Sequence, residues 1–339
     1  MTGPGERLMS DFAEPRVSCV LPVYNGEQFV EEAVRSILDQ SFTDFELVVV
    51  DDGSTDSTPQ KLKTLADSDK RVRVLSQSNG GIVSALNTGL QASRGIYIAR
   101  MDADDISMTD RFSFQVDYLD KNPDCVLVGG VARSIAMQDS AQRFATGGRH
   151  ERTDLSLFPP RIAVSIHPLI MVRTAALRAI GGYRDTYPHA EDYDLFIRLS
   201  IHGTIDNPPK EILFYRRHAD AISIKNVDIQ ERSAVRAECE AMDAAGYGMT
   251  ANWIIESYIR LRIFRRMQTI DLVKASAMAG QILQDSIHLG PSRIFSCKYS
   301  RLRVILIFNL AKFVVRRIRS SISRARGCGT VRGFNASGQ

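Results

Sequence analysis

Between Arg16 and Gly130, short continuous apolar runs take turns with stretches whose apolar positions recur at helical spacing. VSCVLPVY, ELVVVDDG, VRVLSQ, GIYIARMD and CVLVGG read as strands. Between the first two, Phe29, Val30, Ala33, Val34, Ile37 and Leu38 fall on one stripe of a helix predicted within Glu27 to Ser41. Strand, helix and strand within so short a stretch make a βαβ unit. Its repetition predicts an α/β fold with a mostly parallel sheet and helices on both faces, whose ligands bind beyond the carboxyl ends of the strands. From Ala132 to Pro160 the pattern blurs into polar, Gly-containing sequence, read as a hairpin and loops. Regular patterning returns in HPLIMVRTAALRAIGGYR, EDYDLFIRLSIHG and ILFYRRH, and from Asp228 onward it is helical only, with Pro291 as a break.

Composition narrows this little. The chain has 339 residues, 44% hydrophobic and 24% charged, which excludes disordered and collagen-like classes. The five cysteines lie far apart without a C-x-x-C pair, against a disulfide framework or structural zinc, so a reducing compartment is expected. The opening residues carry Glu6, Arg7, Asp11 and Glu14 without an apolar run, so no secretory signal is expected and the protein is placed in the cytoplasm.

The net charge of +4 conceals an asymmetry. Ten Lys and Arg and no Asp or Glu lie between Arg293 and Arg326, leaving 33 basic against 39 acidic residues elsewhere. As a helix, Arg301 to Ser323 carries Val304, Ile307, Phe308, Ala311, Val314, Val315, Ile318 and Ile322 on one stripe and basic residues opposite. That stripe either lies on an anionic membrane surface, placing the chain at the inner face of the cytoplasmic membrane, or packs on the rest of the protein. Nucleic acid is not expected as a partner, because interleaved aromatics and a recognised binding motif are missing.

Acidic and small residues crowd the predicted strand ends: Tyr24, Asn25 and Gly26 after the first, Asp51, Asp52, Gly53 and Ser54 after the second, Asp102, Ala103 and Asp104 after the fourth. Four carboxylates facing one crevice repel one another, which implies a cation among them or one kept as a base. Neither a P-loop nor a G-x-G-x-x-G turn is present, so phosphate is expected on a divalent metal, Mn²⁺ or Mg²⁺, and a nucleotide-diphosphate leaving group suits that arrangement.

These residues carry a resemblance. LPVYNG (Leu21 to Gly26), VDDGSTD (Val50 to Asp56), NGGIVSALNTGL (Asn79 to Leu90), ARMDADD (Ala99 to Asp105), GGYR (Gly181 to Arg184), AEDYDLFIRL (Ala190 to Leu199) and YRRH (Tyr215 to His218) occur in the order found in inverting family 2 glycosyltransferases. The chain resembles that family over roughly residues 16 to 224. The resemblance implies a GT-A fold, placed at 16–226; the residues outside it have no family assignment and read as an extension at 1–15, a helical region at 227–326 and a tail at 327–339. It also implies that Pro22, Tyr24 and Asp52 hold the nucleotide base, with Asn25, Asn79 and Asn87 among the donor contacts. Asp102 would meet the ribose or sugar, and Asp104 and His218 the metal. Asp192, with Glu191 as its rival, would be the base that deprotonates an acceptor hydroxyl.

Two departures matter. Relatives carry Arg in an A-R-N-x-G string where this chain has Leu86 before Asn87, so Arg100 becomes the candidate contact to diphosphate or sugar. The Q-x-x-R-W string of processive synthases is absent, so one sugar per encounter is expected. The expected reaction moves a hexose or N-acetylhexosamine, from a UDP-sugar by preference, to a glycan or lipid-linked glycan. Its competitors are a sugar-phosphate nucleotidyltransferase and a non-catalytic nucleotide-sugar or glycan-binding module. The first should show a Gly-rich basic loop where this chain has PVYNGEQF, and the second has no use for a base. His167, before Pro168, could line the acceptor side or simply pack.

Overall fold

The computed structural model describes residues 14–135, 143–144, 151–157, 160–216 and 226–247, with Ile259, Arg262 and Ile263. His218 and the basic stretch 293–326 lie outside the described residues. The chain divides into two compact units, Met1–Met249 and Thr250–Gln339, and both sheets lie in the first.

The predicted strands appear as β1 (Val17–Val23), β2 (Phe45–Asp51), β3 (Val72–Ser76), β4 (Tyr97–Arg100) and β6 (Cys125–Val128). All seven residues of β1 and of β2 are buried, which explains why they are apolar without alternation: helices cover both faces. The sheet runs β10-β6-β9-β4-β1-β2-β3, where β9 is Met171–Arg173 and β10 is Thr204–Asp206. Strands β3, β2, β1 and β4 are parallel, and β10 is parallel to β6. Strand β9 alone runs antiparallel, wedged between β4 and β6. The chain therefore enters β9 at the same edge where β4 and β6 end.

A smaller sheet pairs β5 (Ile106–Ser107), β11 (Glu211–Arg216), β7 (Val131–Ile135) and β8 (Arg143–Phe144). The expected hairpin is β7 with β8.

Helix α1 (Val30–Leu38) buries Val30, Ala33, Val34 and Ile37, the stripe read from the sequence, and has Glu31 and Glu32 in its first turn. Helices α2 (Thr58–Ser68), α3 (Gly81–Ala92), α4 (Arg111–Lys121), α5 (Thr174–Ala179) and α6 (Glu191–Leu199) follow. The last described helix, α7 (Val227–Ala244), belongs to the first unit, although a boundary at 226 was expected. Its Ala234 and Ala237 pack with Tyr187, Ala190 and Ile197 around α6, and its Glu238 accepts a hydrogen bond from Tyr193. An amphipathic stripe read alone does not say which body it covers. No helix among the described residues is long and apolar enough to cross a membrane. Cys19, Cys125 and Cys239 are buried free thiols.

Candidate functional site

The carboxyl ends of β1 and β2 are laced together by their loops. Asn25, in the left-handed region at φ 51°, accepts the Thr55 N–H on Oδ1 at 2.8 Å and donates its own N–H to Ser54 Oγ at 2.9 Å. Glu27 Oε2 accepts from the Ser57 N–H and hydroxyl. Gly53 also has positive φ, and a Cβ there would stand 2.8 Å from Asn79 N, so the β2 loop and the loop before α3 touch backbone to backbone. Above this floor Tyr24 is 52% exposed while Pro22 is buried in β1. A flat aromatic face open to solvent beside a rigid loop is a stacking surface.

Asp52 is buried and accepts three hydrogen bonds: Gln77 Nε2 at 2.7 Å and Gly80 N–H at 2.9 Å on Oδ1, and Gly81 N–H at 2.8 Å on Oδ2. It thereby anchors the head of α3, and Oδ2 keeps a second lone pair. Asp51 closes its own turn by accepting the Ser54 N–H. The four carboxylates expected in one crevice thus divide: Asp51 and Asp52 serve the loops, and a different set gathers at the end of β4.

That set is Asp102, Asp104 and Asp105, one ligand oxygen from each lying within 4.8 Å of the others. Asp102 pairs with Arg100 Nη2 at 2.5 Å. Asp105, which sequence reasoning did not single out, accepts the Arg216 N–H at 2.8 Å on Oδ1, while its buried Oδ2 has no hydrogen-bond partner. Burial, then the neighbouring Asp102, push its carboxyl up to about 8. An orphaned carboxylate oxygen among three hard oxygen donors fits a divalent cation, which would relieve the repulsion that holds protons there. Arg216 braces the loop further through Nε to the Asp104 carbonyl at 2.8 Å and Nη2 to Glu32 at 2.7 Å. The YRRH block was the only sequence signal for it.

The other side of the site is carried by β9, α6 and the segments before them. His167 is buried and shares a 2.9 Å hydrogen bond between Nε2 and the Tyr183 hydroxyl. Burial, then the Arg100 charge, hold its pKa well below the usual value, so the imidazole is neutral near pH 7. Glu191 and Asp192 open α6. Asp192 Oδ1 accepts the Tyr193 N–H at 2.7 Å, and burial, followed by the like charge of Glu191, pushes its carboxyl up to about 6. The helix itself is locked by Asp194, buried and paired with both Arg184 and Arg198.

Arg100 connects the two sides. It is buried, with Nε and Nη1 unpartnered, and its charge acts on Asp102 and Asp105 as well as on His167, Glu191 and Asp192. Asn87, expected among the donor contacts, also ties the backbone on the other side of the site. Its Nδ2 donates to the Tyr183 carbonyl and its Oδ1 accepts the Tyr183 N–H, both at 2.9 Å, so the amide ties α3 to the backbone at Tyr183. Asn79 is exposed on the loop before α3.

The Glycosyl transferase family 2 model matches residues 18–181. An uncharacterized glycosyltransferase of Haemophilus influenzae is 32% identical over 222 residues, 62% of this chain and 68% of that protein. Escherichia coli chondroitin synthase is 30% identical over 238 residues, 68% of this chain but 33% of the synthase, so the chain spans about a third of that relative. Among solved structures, S. aureus TarS 1-349 in complex with UDP superposes with a TM-score of 0.55 at 19% identity, covering 96% of this chain and 95% of that one. The mannosyltransferase PcManGT of Pyrobaculum calidifontis, in complex with GDP-Man and Mn²⁺, gives 0.54 at 17% identity, with 92% and 90% covered. At such identities the structural likeness concerns the fold.

Proposed function

The chain belongs to glycosyltransferase family 2, and on that premise we propose that it is an inverting enzyme moving one sugar from a nucleotide-diphosphate donor to a glycan or lipid-linked glycan. A UDP-hexose or UDP-N-acetylhexosamine is the proposed donor, in keeping with the UDP held by TarS. The observation that carries this reading is the acidic triad at the end of β4 and a base candidate at the head of α6, both under the field of one buried cation, Arg100.

On the donor side, Tyr24 stacks on the base and the second lone pair of Asp52 Oδ2 accepts the base's imino N–H. Asp102 meets the ribose or sugar. Asp104, with Asp105 beside it, would hold a divalent ion, which supplies charge neutralisation at the departing diphosphate. His218 is proposed as a further ligand on the sequence resemblance alone. On the acceptor side, Asp192 takes the hydroxyl proton as the oxygen attacks the anomeric carbon opposite the leaving diphosphate, and inversion follows. A carboxylate titrating at about 6 is ionised at neutral pH yet more basic than an ordinary one, which suits that task. Glu191 is the rival base, and a Glu191→Gln variant that loses as much turnover as Asp192→Asn would transfer the role. A lipid-linked acceptor would be met at the inner face of the cytoplasmic membrane through the basic stripe at 293–326, which flotation of the full chain with anionic vesicles tests.

The test of the donor is a thermal-shift series with UDP-, GDP- and dTDP-sugars, with and without Mn²⁺. Stabilisation by UDP-sugars only with metal is the expected result. Equal shifts without metal overturn the metal-held diphosphate.

A further inference from the structure

Arg111 is the largest fully buried side chain of the described core, with no exposed surface, and no carboxylate among the described residues is hydrogen-bonded to it. A guanidinium so placed is costly unless its donors are used elsewhere. Here they reach backbone and neutral groups. Nη2 donates to the Arg100 carbonyl at 2.7 Å and to the Ile170 carbonyl at 3.3 Å, Nη1 points to Met101 Sδ at 3.5 Å, and Nε donates to Gln115 Oε1 at 3.0 Å. Gln115, one turn further along α4, continues the set by donating Nε2 to the Leu169 carbonyl at 2.7 Å and the Val128 carbonyl at 3.1 Å. Two side chains on one helix thus hold the carbonyl where β4 ends, the carbonyl where β6 ends and the two carbonyls from which the chain enters β9. These are the points where the acidic triad and the His167 segment leave the sheet.

We propose that Arg111 is a positioning residue for the acidic loop: it ties the end of β4 to the entrance of β9 and lays a fixed positive charge near Asp102 and Asp105 that tempers how tightly a divalent cation is held there. The inference rests on the metal reading above. Burial pushes Arg111 down to about 10, still well above neutrality, and the ionisable groups that act on it are the Cys19 thiol, neutral near pH 7 because burial pushes it up to about 12, then Arg100, Asp105 and Asp102. Its charge in turn favours the ionised form of Asp102. A cation fixed near Asp102 and Asp105 keeps some negative charge compensated before metal arrives, so that metal and diphosphate can leave after each transfer.

The test is Mn²⁺ binding to the nucleotide-free full chain by isothermal titration, beside steady-state transfer. Arg111→Met removes charge and ties together, and Mn²⁺ should bind roughly threefold to tenfold more tightly because a repelling charge is gone, while kcat falls at least about tenfold. Arg111→Lys keeps the charge but cannot span two carbonyls, so the Mn²⁺ Kd should stay within about twofold while kcat falls. Gln115→Met should behave like Arg111→Lys, with a smaller loss. A residue that only filled the core would weaken metal binding in every variant or leave it alone. An Arg111→Met chain that melts cooperatively and binds Mn²⁺ no more tightly than wild type overturns the charge role. If that variant does not fold, Arg111→Lys decides: wild-type kcat overturns the tie, and a Kd shifted beyond twofold overturns the charge. A wild-type chain that takes up no Mn²⁺ overturns the metal site itself and this role with it.

Discussion

The proposed donor side, residues 17 to 107, and the proposed acceptor side, from His167 through α6, are held by different means. On the donor side each functional side chain follows a parallel strand directly, and the nucleotide platform is supported by near neighbours in the loops, Asn25 by Ser54 and Thr55 and Asp52 by Gln77, Gly80 and Gly81, while the acidic loop adds one distant brace, Arg216. On the acceptor side the supports come from far along the chain. Asn87 grips Tyr183 across 96 residues, and Tyr193 reaches Glu238 on α7. Gly182, with φ at 73°, belongs to the same grip, because a Cβ there would stand 2.7 Å from Asn87 Oδ1. Parallel topology therefore supplies the nucleotide platform by itself, whereas the proposed base is placed by a set of tertiary ties that can be cut separately.

The largest expected effect of cutting between the two sides is at the base. Asp192→Asn should lower turnover by about 10²–10⁴-fold with nucleotide affinity unchanged in a binding titration; parallel losses in both would show that the sides are not separable. Asn87→Leu, which removes the grip on Tyr183 and leaves its backbone groups unpaired, should cost about 1–3 kcal/mol of stability and lower kcat several-fold while the donor KM stays put. A donor KM that moves as much as kcat would return Asn87 to the donor side.

A smaller effect concerns pH. As the proposed base Asp192 would work ionised, so kcat/KM should fall on the acid side with an apparent pKa of about 6 and stay level above it. Glu191 is the second cause of that elevation after burial, so Glu191→Gln should move the acid limb downward. An upward or unchanged limb would remove Glu191 from contact with the base. The smallest effect is on stability. A carboxyl whose pKa rises on folding favours the unfolded chain as pH climbs from its ordinary value near 4 to about 6, where the penalty is complete. Asp192→Asn should therefore melt higher than wild type at pH 7 and at the same temperature near pH 3.5.

Much of this was legible in the chain and some was not, for physical reasons. Strands β1, β2 and β4 announced themselves because every residue in them is buried and their runs are mostly apolar. Adjacent carboxylates in MDADD announced a cluster, but nothing in the string tells which of them turns inward to meet Arg216, 111 residues away. Asn87 sits in a recognisable block, yet its partner is a backbone that only the tertiary fold supplies. The direction of a three-residue strand such as β9 depends on the sheet it joins rather than on its own residues. Arg111 reads as an ordinary helix residue beside Asp110 until α4 is docked.

Because β9 runs against its neighbours, the polypeptide arrives at the catalytic rim on its way into a strand instead of on its way out. The described part of the stretch between β7 and β9 meets the main sheet at its far edge, where Glu151 bridges Ile205 of β10, and not within the ladder of β3, β2, β1 and β4. Substitutions in that stretch can then reshape the proposed acceptor side while the hydrogen bonds beneath the proposed nucleotide platform stay as they are.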